Sequence, residues 1–298
     1  MEKDKSVVEN QLAELARSAA LVRALATYDE REEIRGGDSL AEAFLADEPK
    51  NSLNDPAIRE WLVKNYLPYG VYAYTIARTA YFDHVVDQAL RDNIPQIVIL
   101  GAGYDSRPYR FAALFNETRI FELDGGLIQE RKRKLLQQAE IALPVNLLYA
   151  TLSYDPLLLG ENLAGAGYDR EKQTLFVWEG ATYYLTFDEV DKTIRFIAAN
   201  SPSGSTLCFD YNTISKDKSD SGIGKELAET MNAGAAEDSV LFAIDEWKTS
   251  VFLAERDFMI IEHLTSEEME KRYLTLHDGS SAAKVPARHR IVYASLSK

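Results

Sequence analysis

The chain has 298 residues, 46% of them hydrophobic and 27% charged, which is the composition of an ordinary globular protein of one large domain or two modest ones. Lys and Arg total 33 against 47 Asp and Glu, a net charge of −14 that repels phosphate backbones and argues against a nucleic-acid partner. No apolar run approaches the roughly 20 residues of a membrane span, the first residues do not read as a secretory signal, and the single cysteine, Cys208, excludes an intramolecular disulfide, so a cytoplasmic protein is expected.

In chain order, residues from about Val7 to Tyr28 carry Val8, Leu12, Leu15, Ala19, Val22, Leu25 and Ala26 at helical spacing. Further helix is predicted over Ser39–Leu45, over Asp55–Tyr66, where Asp55-Pro56 makes a helix start, and over Val71–Leu90. Residues 1–90 are therefore expected to form a helical cap on a core of residues 91–298. The character changes at Ile94. Ile97–Leu100 is a continuous apolar run ending in glycine, as expected of a strand buried on both faces. Further strands are predicted at Arg119–Asp124, Asn146–Tyr149, Thr174–Trp178, Ser205–Asp210, Phe258–His263 and Arg290–Leu296. Helical segments at Tyr109–Phe115, Leu127–Ala142, Leu157–Leu163 and Phe187–Asn200 alternate with them, which argues for βαβ units and a parallel sheet. Residues from Asn212 to about 250 interrupt this order. The polar, small-residue-rich part as far as Val240 reads as an insertion or lid. The one dense basic run, Arg131–Lys134, reads as a solvated helix face.

The informative element is the turn after the first strand, Gly101-Ala102-Gly103. Glycines there let a ligand approach the backbone at the carboxyl end of a buried strand, where open α/β sheets bind their ligands. About 20 residues later the next strand ends in Glu122 and Asp124, and a carboxylate there can accept hydrogen bonds from ribose hydroxyls. Gly-x-Gly alone also makes an ordinary tight turn; strand, turn and acid together point to a nucleoside-containing ligand. A dinucleotide site wants a third glycine where this chain has Ser106. S-adenosylmethionine, with a ribose and no phosphate, does not need it.

The stretches Ala77–Asp83, Val98–Arg107, Phe121–Asp124 and Phe176–Leu185 resemble the leucine carboxyl methyltransferase-like family of S-adenosylmethionine-dependent enzymes, in its bacterial members. The resemblance implies a Rossmann-like class I methyltransferase: a mostly parallel seven-stranded sheet with an antiparallel last strand, flanked by helices, with a helical N-terminal extension. It implies that Arg78 pairs with the methionyl carboxylate of the cofactor, although helical periodicity alone would make Arg78 a surface residue. Gly101, Ala102 and Gly103 become the cofactor turn and Asp124 the ribose acid, with Glu122 assisting or orienting the turn. Glu179 lines the cofactor and acceptor pocket, where the residues alone allow a helix-start carboxylate. Thr151-Leu152 stand where relatives often carry Asp-Leu to meet the adenine. No metal site is expected.

Methyl transfer from a sulfonium is in-line displacement, and positioning supplies much of its acceleration. A carboxylate acceptor needs no base; a phenol does. His84, His263, His277 and His289 lie in no motif and read as surface or structural residues; Tyr183 and Tyr184, beside Glu179, are candidates to line an acceptor site, although tyrosines after a strand more often belong to the core. By family analogy the expected reaction is O-methylation of a small-molecule or peptide carboxylate, then hydroxyl. The rival readings are an NAD-dependent oxidoreductase and a non-catalytic binding protein of the same fold.

Overall fold

A computed structural model describes residues 2–214 and 242–298. Seven strands form one sheet: β1 Gln96–Leu100, β2 Arg119–Asp124, β3 Leu147–Thr151, β4 Thr174–Trp178, β5 Thr206–Asn212, β6 Phe258–Leu264 and β7 His289–Leu296, in the order β3-β2-β1-β4-β5-β7-β6. The strands from β3 across to β5 pair in parallel, and β7 runs antiparallel to both β5 and β6. This is the expected sheet, antiparallel last strand included.

The buried run of β1 supplies both faces of the sheet. Side chains alternate along a strand, so Ile97 and Ile99 enter one core while Val98 and Leu100 enter the other. The helices of the first part of the chain are α1 (Glu2–Thr27), α2 (Asp47–Ser52), α3 (Pro56–Trp61), α4 (Val71–Arg91), α5 (Arg107–Arg110), α6 (Gly126–Gln138), α7 (Pro156–Gly165) and α8 (Phe187–Ala199); α1, α4 and α6 close the first core, α7 and α8 the second. Starts of these helices follow local chemistry. Asp155 accepts from the N–H groups of Leu157 and Leu158, and Thr186 and Glu189 form a capping box at α8.

Chain order decides where a ligand fits. From β1 the chain moves outward to β2 and β3, then returns to the other side of β1 for β4 and β5. Such a reversal leaves a crevice at the carboxyl ends of β1 and β4.

Several expectations are corrected. The segment Tyr109–Phe115 is one α-turn, Arg107–Arg110, followed by a 3₁₀ turn at Ala112–Leu114. Phe111, at φ −99° and ψ 10°, leaves helical geometry between them. Ser39–Leu45 contains only a 3₁₀ turn, Ala41–Phe44, and the Asp55–Tyr66 helix ends in a π-turn at Leu62–Tyr66. The basic run is not a uniformly solvated face. Lys132 is fully buried, where its Nζ donates to Glu122 Oε1 at 2.6 Å. Most of the expected lid, residues 215–241, lies outside the described residues. Of the described part, Phe242, Ile244 and Thr249 are buried, while Ile214, Trp247 and Lys248 are exposed. No helix among the described residues is long and apolar enough to cross a membrane.

Candidate active site

A cavity of about 550 Å³ opens at the switch point. Its floor is the turn after β1. Gly101 and Gly103 adopt φ of +66° and +47°, the left-handed region that favours glycine. A Cβ on Gly101 would stand 3.4 Å from the Cβ of Ala181, and one on Gly103 would stand 3.3 Å from that of Ala16 on α1. The turn is tied to β2 twice: Ala102 N–H donates to Leu123 O at 3.0 Å, and Gly103 N–H to Asp124 Oδ2 at 2.6 Å. The other oxygen of Asp124 accepts from Gly125 N–H at 2.6 Å. Burial pushes the Asp124 carboxyl up, and these two N–H groups work against that shift. Each oxygen holds one protein donor and keeps lone-pair capacity toward the cavity, the arrangement a vicinal diol requires.

One wall is charged. Arg78 projects from α4, is 9% exposed, and places Nε 2.9 Å from Glu179 Oε1 and Nη1 3.3 Å from Asp210 Oδ2. The Nε contact lacks hydrogen-bond alignment, so a buried donor of this arginine is left unsatisfied. Glu179 follows β4 and also pairs with Arg107 Nη1 at 2.7 Å. Burial alone would raise its carboxyl; the guanidiniums of Arg107 and Arg78 overcome this and hold it below the usual range.

Asp210, fully buried near the end of β5, organises the next layer. It accepts from Gly180 N–H at 2.7 Å, from Tyr74 Oη at 2.7 Å, from Arg78 and from Tyr183 Oη. Tyr183 and Tyr184 both line the cavity. The His289 ring stacks on Tyr74, centroids 3.8 Å apart.

Of the residues singled out in the sequence, Arg78, Gly101, Ala102, Gly103, Asp124, Leu152, Glu179, Tyr183 and Tyr184 come together around this cavity. Two do not. Glu122 lies on the same face of β2 as Asp124 but one rung deeper, under α6, paired with Lys132 and away from the cavity. Thr151 is exposed at the end of β3 and contributes no lining, while its neighbour Leu152 does. Sequence reasoning missed Arg107, Asp210, Asp38 and Tyr74. Only the position of Asp210 near a strand's carboxyl end hinted at a role. Ser106 is buried and donates to Asp38 Oδ1 at 2.6 Å, so a carboxylate stands beside the place where a dinucleotide site would have its third glycine.

The strand order, the crevice and its glycine-acid floor are those of the Rossmann-like class I methyltransferase fold. The solved structure of a candidate methyltransferase from Thermobifida fusca shares the fold, with a TM-score of 0.58 at 15% identity over 94% of each chain. So does a DUF574 family protein from Streptomyces avermitilis, at 0.56 and 15% over 93% of this chain and 96% of that one. The leucine carboxyl methyltransferase family profile matches residues 16–198, and the chain belongs to that family of S-adenosyl-L-methionine-dependent methyltransferases. A Bacillus subtilis relative, YktD, is 28% identical over 74% of this chain and 72% of its own length. A Streptomyces coelicolor relative is 31% identical over 64% of this chain and 67% of its own. Both are named as candidate S-adenosyl-L-methionine-dependent methyltransferases. Nothing in the comparisons supports the oxidoreductase alternative.

Proposed function

We propose that this protein is an O-methyltransferase acting on a small-molecule or peptide acceptor, with the cavity at the β1–β4 switch point holding both cofactor and acceptor. The supporting observation is the junction of three features at one cavity: the left-handed glycine turn, the Asp124 carboxylate facing it, and the unsatisfied Nε of Arg78. In this reading Asp124 receives the ribose hydroxyls and Arg78 the methionyl carboxylate, whose bidentate match to a guanidinium would satisfy the buried donor. Gly101, Ala102 and Gly103 give the cofactor's backbone-facing edge its room, and Leu152 and Tyr154 offer an apolar wall to the adenine. When bound, S-adenosyl-L-methionine supplies an electrophilic methyl group on a sulfonium. Glu179, held ionised by two arginines, biases the pocket toward that positive charge, and side chains from α1 and α4 narrow the line of approach.

Calorimetric titration with S-adenosyl-L-methionine tests the pocket. Asp124→Ala and Arg78→Ala are each expected to weaken binding by about 1–3 kcal/mol, the range for charge-assisted hydrogen bonds, with a cooperative melting transition retained. Parent-like binding in both variants would refute the assignment. Deuteromethyl-labelled cofactor incubated with a cell extract, followed by mass spectrometry, is expected to label an oxygen-methylated metabolite; label confined to nitrogen would overturn the O-methyl reading.

A further inference from the structure

Asp210 reaches the cavity only through other residues. It is fully buried near the end of β5 and is not part of the lining, whereas Arg78, Gly180 and Tyr183, three of its four partners among the described residues, are. Every one of those partners donates. Oδ1 accepts from Gly180 N–H, and Oδ2 accepts from Arg78 Nη1 and from the hydroxyls of Tyr74 and Tyr183. A carboxylate held at both oxygens cannot turn without breaking these bonds. Gly180 is held for a reason of its own. Its φ is +70°, and a Cβ there would stand 3.2 Å from Arg78 Nη1. The guanidinium therefore lies directly against the Gly180 backbone. Asp210 fixes both sides of that contact, Gly180 at 2.7 Å and Nη1 at 3.3 Å. The Tyr74 ring meets the same guanidinium, its centroid 5.2 Å from the central carbon.

Arg78 meets its two acids through Nε, toward Glu179, and Nη1, toward Asp210. A guanidinium carries five N–H groups, so these contacts leave donors to spare for a ligand carboxylate. A buried ion pair of this kind adds little net stability once desolvation is counted. What Asp210 supplies is direction. Resting on the assignment of Arg78 to the cofactor's carboxylate, we propose that Asp210 is a positioning residue: it fixes the heading of the Arg78 guanidinium against Gly180, so that the remaining donors are held ready for the methionyl carboxylate. Asp210 then serves the amino-acid end of the cofactor alone. The nucleoside end, received by Asp124 and the glycine turn, does not depend on it. The substitution Asp210→Asn keeps the shape and spoils this role. An amide has one accepting oxygen and one donating N–H2. Whichever way it turns, the N–H2 faces either Gly180 N–H or the donors of Arg78, Tyr74 and Tyr183.

The test is calorimetry of the whole purified protein with two ligands. S-adenosyl-L-homocysteine carries the amino-acid end; 5′-methylthioadenosine has the same thioether nucleoside without it. Asp210→Asn is expected to raise the Kd of S-adenosyl-L-homocysteine roughly 10-fold, the scale of one charge-assisted hydrogen bond, and to leave methylthioadenosine binding as in the parent. On an Arg78→Ala background the same substitution should change neither ligand, because its effect runs through that arginine. Gly180→Ala, which puts a methyl group against Nη1, should show the same selectivity, and it decides if Asp210→Asn does not fold. Equal weakening of the two ligands is what a merely structural role would give, and it would overturn the proposal. So would no weakening of either, or a further loss on the Arg78→Ala background. A parent protein that binds both ligands equally would instead overturn the role of Arg78, and one that binds neither would overturn the underlying pocket.

Discussion

Glu122 and Lys132 show how far one side chain's fate can depart from its local sequence. Both are fully buried, and Glu122 Oε2 has no hydrogen-bond partner. Burial pushes the Glu122 carboxyl from its ordinary 4.5 up to about 7, with Lys132 working the other way. A carboxyl raised on folding contributes stability that is full below its unfolded value and is lost as pH climbs through the folded one. Denaturant unfolding should therefore show stability falling between about pH 4.5 and pH 7. Glu122→Gln should flatten that slope; an unchanged slope would exclude Glu122 as its source. Removing the partner instead is harsher. Lys132→Ala leaves a buried carboxylate uncompensated and should cost about 3–5 kcal/mol. The same two residues mark what could not be read from the chain. Alternation along β2 puts Glu122 and Asp124 on one face, but it does not say which rung meets the cavity and which lies under α6. A run of four basic residues gives no sign that its second member turns inward. Asp124, by contrast, was legible, because a strand end followed by glycine is a position with few other uses.

At the scale of elements, the proposed cofactor turn is a strand end, two left-handed glycines and one short helical turn. Arg107–Arg110 is too brief to carry a helix-terminus field of consequence, so the turn relies on geometry and on Asp124 rather than on a dipole. Gly101→Ala is expected to introduce about 1–3 kcal/mol of backbone strain. It also puts a methyl group 3.4 Å from Ala181, so cofactor affinity should fall even though no side chain is removed. Calorimetry checks this, and unchanged affinity would mean the turn does not approach the ligand. Farther along, Thr186 and Glu189 start α8, whose Val190, Ile194 and Ile197 pack under the sheet. Thr186→Ala should destabilise the fold by about 1 kcal/mol in denaturant titration. Because Glu189 also lines the cavity, any added loss of cofactor affinity would reveal a second duty for the capping box. Only the Asp55-Pro56 start is read from the chain, although Thr186-Phe-Asp-Glu189 and Asp155-Pro156 carry the same kind of local signal. The missing helix after the glycine turn has no such signal; there Arg107 and Arg110 are held by Asp83 on α4.

For the whole molecule, the proposed cofactor cavity is lined by parts that are far apart in sequence: α1, α4, the ends of β1, β2 and β4, and the turn before α8. A ligand at a hundred times its Kd stabilises the folded state by about 2.7 kcal/mol. Melting temperature should rise by a few degrees with S-adenosyl-L-methionine, and Asp124→Ala should show a smaller rise at the same concentration. No shift in the parent protein would contradict a pocket built from these elements.

The chain by itself determined the sheet, the glycine turn, the carboxylate at the end of β2 and the family, because each is written in contiguous residues whose burial or backbone conformation follows from their type. Only the tertiary structure decided which charges meet. Arg78, Arg107, Glu179 and Asp210 come from four separate segments, and ion pairing at 2.7–3.3 Å depends on how those segments pack rather than on any spacing along the chain.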